Sequence, residues 1–249
     1  MDTRQCVELF HLLFLGALGA RVDRALFVLK GGCNLRFYWK SIRYSEDMDL
    51  DVKTMSVATL RNNVERVLEG PAFRQSLAAH QLALEEHSAP KQTDTTQRWK
   101  MAVRPLAERR SIPTKIEFSR RRLDPGHSLE PVDPAIQRRY KLYPVLSQHY
   151  GLSTALSQKV AALAGRPQTQ ARDVFDLKLL LDQGAAAAKG LKKLAAAAIE
   201  PAMSVGYDEF AGQVLAYLEP EYQDHYRPRK TWEGTQDEVV QWLESQAKP

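Results

Sequence analysis

Asp47, Asp49 and Asp51 stand two residues apart in the segment Asp47-Met-Asp-Leu-Asp-Val52. Side chains alternate faces along a strand. In a strand, the three carboxylates share one face, and Met48, Leu50 and Val52 take the other. Three like charges on one face repel unless a cation sits among them. A hard divalent cation with oxygen ligands suits such a set, and Mg²⁺ is commonly shared between carboxylates and substrate phosphates. Shortly before this segment runs Val28-Leu-Lys-Gly-Gly-Cys-Asn-Leu-Arg36. A Gly31-Gly32 turn between strand and helix lets backbone amides approach an anion closely. The turn and the carboxylates together point to nucleotidyl transfer.

Simpler readings compete. A D-x-D-x-D string also opens a calcium loop of the EF-hand kind, which needs Gly at its sixth position and Glu at its twelfth. Val52 and Ala58 stand there, which excludes it. D-x-D alone is more often a solvated edge strand, and Gly-Gly alone is a common turn. The joint spacing, with Ser45 two residues before Asp47, is far more specific.

K-G-G-x-x-L-R over residues 30–36 and R-x-S-x-D-x-D-L over 43–50 resemble the AbiEii/AbiGii family of nucleotidyltransferase toxins, in the DNA polymerase β-like superfamily. Lys115-Ile-Glu-Phe118, Gln158-Lys-Val-Ala-Ala-Leu163 and Arg172-Asp-Val-Phe-Asp-Leu177 follow in family order, so the resemblance covers residues 5–185. Cys33 departs from it, standing where the family commonly has Thr or a similarly small residue. The resemblance implies an α+β protein: a polymerase-β-like domain with a mixed sheet, then a mostly helical C-terminal domain.

It also implies roles. Asp47 and Asp49 hold Mg²⁺ or Mn²⁺. Glu117 is the candidate third carboxylate, on a neighbouring strand and on the same side as Lys115; an ion pair with a nearby Arg is the ordinary alternative. Gly31, Gly32 and Ser45 contact the triphosphate of an NTP substrate. Lys30 either joins them or is solvated at its strand end. Arg36 and Arg43 match family arginines, with Arg43 on phosphate or on the Asp cluster. Lys159 contacts nucleotide phosphate, although a lone Lys on an apolar helix ordinarily snorkels. Asp176 holds Lys159 or the nucleotide, while Asp173 caps its helix or pairs with Arg172. Asp51 is left outside the core site, and no histidine has ligand spacing. Family resemblance further implies a bacterial toxin, with a transfer RNA 3′ end as acceptor and an antitoxin encoded nearby. Transfer to a protein or small molecule, and a non-catalytic nucleotide- or nucleic-acid-binding module, are the alternatives.

Charge distribution bears on the acceptor. Residues 98–141 hold twelve Lys/Arg against five Asp/Glu, whereas 200–249 hold four against ten. A basic stretch is a candidate footprint for a phosphate backbone. Here Arg120, Arg121 and Arg122 are the candidate RNA contacts, with Trp99, Tyr140 and Tyr143 available for stacking on bases. A solvated charged face explains the same run equally well. The two cysteines offer neither a disulfide framework nor zinc spacing, and a reducing cytoplasm is expected.

These groups need elements to hold them. In a chain of 249 residues there is room for one large or two small domains. Apolar spacing predicts a buried amphipathic helix over 3–20, too short an apolar run to span a bilayer. Ala17-Leu-Gly-Ala20 resembles a signal-peptidase site, but Asp2, Arg4 and Glu8 give no positive excess before it. Strands are expected over 25–29, 47–52, 82–87, 97–105 and 114–119, with helices over 33–39 and 57–68. Prolines and glycine over 123–134 suggest a connector, which places a nucleotidyltransferase domain at 1–125 and a helical domain at 135–249. The latter is expected to complete the nucleotide cleft, with helices over 153–164, 171–182, 188–199, 207–218 and 235–246.

Overall fold

A computed structural model describes residues 1–121, 123–188 and 190–248. Two compact units emerge: residues 1–38 with 44–150, and residues 39–43 with 151–249.

In the first unit, helix α1 (Thr3–Arg21) is closed by a capping box between Asp2 and Gln5. Leu9, Phe10, Leu12, Phe14, Leu15 and Leu18 are buried on every side of it, as is His11. It is therefore a core helix rather than one with a single apolar face. Strand β1 (Phe27–Lys30) passes directly into α2 (Gly31–Tyr38), and β2 (Asp47–Val52) follows. Next come α3 (Val57–Leu68), capped by Ser56, and α4 (Pro71–Ala79), with Pro at its start. Strands β3 (Leu82–Gln92), β4 (Thr96–Pro105) and β5 (Ile112–Ser119) lead to β6 (His127–Pro131), α5 (Pro134–Arg139) and β7 (Leu146–Tyr150).

Among the described residues the strands form one seven-stranded sheet, in the order β3-β4-β5-β2-β1-β7-β6. β2 runs parallel to β5 and β1 parallel to β7, and the other pairs are antiparallel. Met48, Leu50, Ile116, Phe118, Trp99 and Met101 pack into one core with α1, α3 and α4. The opposite sides of β2 and β5 carry Asp47, Asp49, Asp51, Lys115 and Glu117.

The expected break at 125–135 is corrected. β6 pairs with β7 over His127–Pro131, and β7 continues the sheet beside β1, so 127–150 belongs to the first unit. A Pro/Gly-rich connector marks a chain reversal as readily as a domain boundary, and here it leads into a hairpin.

The second unit is helical. It holds α6 (Leu152–Gly165), α7 (Ala171–Asp182), α8 (Lys192–Ser204), α9 (Tyr207–Gln213), α10 (Pro220–Tyr226) and α11 (Arg229–Ala247). Segment 39–43 joins it through an Arg43–Leu218 bridge and a bond from Glu219 N–H to the Ile42 carbonyl. No helix among the described residues is long and apolar enough to cross a membrane.

Candidate active site

Cross-strand register decides which charges meet. Lys30 on β1 lies beside Asp49 on β2, Asp49 beside Glu117 on β5, and Glu117 beside Arg98 on β4. A neighbouring row runs from Asp47 to Lys115 to Lys100. A carboxylate cluster on two adjacent strands is thus flanked by cations.

Most of these carboxylates are paired. Lys115 Nζ lies 2.6 Å from Asp47 Oδ2, and Arg98 Nη2 lies 2.6 Å from Glu117 Oε2. Lys30 Nζ sits 2.5 Å from Asp51 Oδ1, and the Tyr150 hydroxyl donates to Asp51 Oδ2 at 2.8 Å. Lys30 and Asp51 therefore satisfy each other, and Asp51 belongs to the sheet's internal bonding. Asp49 is the exception: among the described residues its carboxylate has no hydrogen bond or ion pair. Burial pushes its pKa up; Lys30 and Lys115 pull it down, and Asp47 and Glu117 push it further up. The net rise marks a negative charge that the protein leaves under-compensated.

Glycine brings the helix to this charge. Gly31 has φ +66°, and a Cβ on it would lie 3.1 Å from Asp49 Oδ2. The left-handed backbone favours glycine, and the close approach leaves little room for a side chain unless Asp49 shifts by a few tenths of an ångström. Gly31→Ala should therefore cost about 1–2 kcal/mol in stability. It should also displace the Asp49 carboxylate and depress transfer. Thermal unfolding together with a rate measurement checks this, and a normal rate in a folded variant would refute it.

Two donors fix the start of β2. Cys33 Sγ–H and the Ser45 hydroxyl both donate to the Asp47 carbonyl, at 3.3 and 2.9 Å. Ser45 thus shapes the strand that presents Asp47 and Asp49. Cys33 also lies 3.6 Å from His11 Nδ1, and His11 Nε2 is 2.8 Å from Thr114 Oγ1. Burial lowers the His11 pKa to about 3 and pushes the Cys33 thiol well up, so both are neutral core groups.

A divalent metal fits the strand site. Its donors are hard oxygens on adjacent strands, one carboxylate is unpartnered, and the glycine leaves space against it. Asp47, Asp49 and Glu117 would be the ligands.

In the helical unit, Lys159 Nζ lies 2.6 Å from Asp176 Oδ2 and 2.9 Å from Asp173 Oδ1. Arg43 bonds Asp176 through Nε at 3.2 Å and through Nη2 at 2.9 Å, and Arg166 reaches Asp173 at 2.8 Å. Both aspartates are fully buried. Burial raises the Asp176 pKa, but Arg43 and Lys159 outweigh it and hold it below the usual carboxylate range. Lys159 is therefore a buried ion-pair partner, held by Asp176 as the resemblance implies and not snorkelling as a lone lysine on an apolar helix ordinarily would. Arg43 pairs with Asp176, 133 residues away, and not with the Asp cluster expected as its other partner. Asp173 pairs with Lys159 and Arg166 instead of Arg172. Arg36, likewise buried, donates to Glu8 at 2.6 Å.

The basic stretch divides. Arg120 is half-buried and donates to Gln97 Oε1 and to the Met55 carbonyl, while still lining the cavity that Arg121 borders. Arg122 lies outside the described residues. Arg121 is exposed and lines an open cavity of about 560 Å³ with Lys53, Thr54 and His127. Trp99 is fully buried, and Tyr140 is buried with its hydroxyl on Glu8, so neither can stack on a base; Tyr143 is 93% exposed.

One group had no sequence signal. Glu65, Glu69 and His87 bring ligand atoms within 4.8 Å of one another. Both Glu65 oxygens already have partners, Trp99 Nε1 and His87 Nε2, each at 2.8 Å.

A crystal structure of JHP933 from Helicobacter pylori aligns with 99% of this chain and 96% of its own, at TM-score 0.57 and 17% identity. Another H. pylori structure, described as a candidate nucleotidyltransferase, aligns over 98% of both chains at TM-score 0.59 and 16% identity. At such identities the likeness concerns the fold. No curated protein sequence matches. A family model, the nucleotidyl transferase AbiEii toxin of type IV toxin–antitoxin systems, matches residues 13–238. That match spans the carboxylate strands and the Lys159–Asp176 helices alike, and the chain belongs to the AbiEii family of nucleotidyltransferase toxins.

Proposed function

We propose that the chain transfers a nucleotidyl group from an NTP to an RNA hydroxyl, at a divalent-metal site held by Asp47, Asp49 and Glu117. One observation carries the reading: Asp49, unpartnered and with a raised pKa, sits beside Asp47 and Glu117, and a Cβ on Gly31 would lie 3.1 Å from its carboxylate. Mg²⁺ or Mn²⁺ there would supply charge neutralisation and orientation for the triphosphate. The acceptor oxygen forms a bond to the α-phosphorus, the α–β bridging P–O bond breaks, and pyrophosphate leaves. The acceptor's proton passes to a carboxylate of the cluster. Gly31 lets the start of α2 lie close to Asp49, where amides can receive phosphate oxygens.

RNA is the acceptor favoured by the surface of the first unit. Arg109, Arg110, Arg121, Arg138, Arg139 and Lys141 are all exposed. A transfer RNA 3′ end is the specific acceptor proposed. Family membership implies an antitoxin partner; we place its gene beside this one.

The test is direct. Purified protein is incubated with total RNA and each α-labelled NTP, with Mg²⁺, with Mn²⁺, or with EDTA. Label should enter an RNase-sensitive, acid-insoluble product with one NTP or a subset, and EDTA should abolish it. Label in a protein band, or incorporation surviving EDTA, would overturn the acceptor or the metal respectively.

A further inference from the structure

Ion pairs among the described residues differ in how far solvent reaches them. Arg43–Asp176 and Arg36–Glu8 are sealed, with side chains at most 5% exposed. Lys115–Asp47 and Arg98–Glu117 are open: the two cations are each 35% exposed, and their carboxylates 23% and 24%. These two open pairs hold the two carboxylates that, with Asp49, would bind a metal; Arg104–Glu85 and Lys178–Asp182 are open as well but involve neither of those carboxylates. Lys115 occupies Asp47 Oδ2, and both Nε and Nη2 of Arg98 converge on Glu117 Oε2. An oxygen bonded to an ammonium or guanidinium is lost to a metal. A divalent cation entering beside Lys115 and Arg98 also repels them.

Register adds a second push. Lys100 lies directly across from Lys115, and like charges opposite each other destabilise a strand pair. Asp47 relieves that pair while its charge is free. Once the Asp47 charge is shared with a metal, Lys100 and Lys115 need another anion. The anion that accompanies the metal in nucleotidyl transfer is a triphosphate.

We propose that Lys115 and Arg98 are exchangeable counter-ions: they neutralise Asp47 and Glu117 before metal binds, then turn to the phosphates of the metal–nucleotide complex. This rests on the metal-dependent transfer proposed above. It makes the two residues positioning groups for nucleotide and competitors for metal, so one substitution should move the two affinities in opposite directions. A strand-edge strut would move neither.

Calorimetry decides it with the full chain, Mn²⁺ alone, and a non-hydrolysable NTP analogue with Mn²⁺. In Lys115→Met, Mn²⁺ should bind roughly two- to fivefold tighter, the value of a partly exposed ion pair. Binding of the analogue with Mn²⁺ should weaken roughly ten- to hundredfold, as for loss of a charge-assisted contact. Arg98→Met should shift the same way, and Lys115→Arg should return both affinities toward wild type. Wild type binding Mn²⁺ with Lys115→Met and Arg98→Met unchanged in both titrations overturns this inference alone. Weaker Mn²⁺ binding in the variants also overturns it, by making the cations supports of the site. Wild type binding no Mn²⁺ removes the metal reading, and this inference with it.

Discussion

Asp49→Asn should lower nucleotidyl transfer by roughly a thousandfold or more while leaving the fold intact. A metal at a phosphoryl centre is worth several kcal/mol of charge stabilisation, and each 1.36 kcal/mol is tenfold in rate. Asp49 is the carboxylate left unpartnered, so if it holds the proposed metal its loss removes affinity that no neighbouring carboxylate replaces. Stability should respond in the opposite sense. Folding raises the Asp49 pKa. A carboxyl raised in this way contributes stability below its unfolded pKa, near 3.9, and loses it as pH rises through the folded value. At neutral pH the metal-free protein therefore carries a penalty at this position, and Asn removes the charge responsible. The melting temperature of Asp49→Asn without metal should equal or exceed that of wild type. The advantage should shrink toward pH 4 and under saturating Mg²⁺. Asp47→Ala should lose activity comparably, but without the gain in stability, because it also removes the pair with Lys115. Rates measured beside melting curves separate these outcomes. Wild-type transfer in both variants would withdraw the metal assignment.

The second large effect lies in the helical unit. Asp176→Ala leaves Arg43 and Lys159 buried without their shared anion. Removing one partner of a buried pair costs about 3–5 kcal/mol. In a protein of this size that corresponds to a melting temperature roughly 6–20 °C lower. The pH dependence runs opposite to that of Asp49. The Asp176 pKa is lowered on folding, so its contribution is present above the unfolded carboxylate pKa and is lost as pH falls through the folded value. Wild type should therefore destabilise steeply on acidification near and below pH 4, with a shallower slope in Asp176→Ala. Arg43→Met should also destabilise, and the double variant should fall short of the sum, because one interaction is lost twice. A melting temperature for Asp176→Ala within two degrees of wild type would show that the network does not hold this unit together.

Much of the site was legible because its signals are local. Alternation along Asp47–Val52 put the carboxylates on one face, and β2 has those bounds. Gly31-Gly32 after an apolar run marked a turn into a helix, and Gly31 has the positive φ expected there. Glu117 and Lys115 on one side of a strand followed from the same period, although only the β2–β5 register placed Glu117 beside Asp49.

Charge partners were a different matter. Arg120 belongs to a triple-Arg run that looked exposed, yet it bonds Met55 and Gln97. Trp99 sits among cations in the sequence and is nonetheless fully buried, because strand alternation sends it to the core face. Arg43, two residues from Ser45, pairs with Asp176 of the helical unit. The hairpin of β6 and β7 overruled a proline-rich stretch as the boundary.

The sequence by itself determined the element types around the D-x-D strand, the face its carboxylates share, and the family, since each depends on residue spacing within a few turns of chain. The Lys159–Asp176 pair was implied by the family resemblance, but tertiary structure decided the remaining cation–carboxylate pairs and which aspartate stays unpartnered. Those outcomes depend on strand register and on groups more than a hundred residues apart, and a local period carries no information about either.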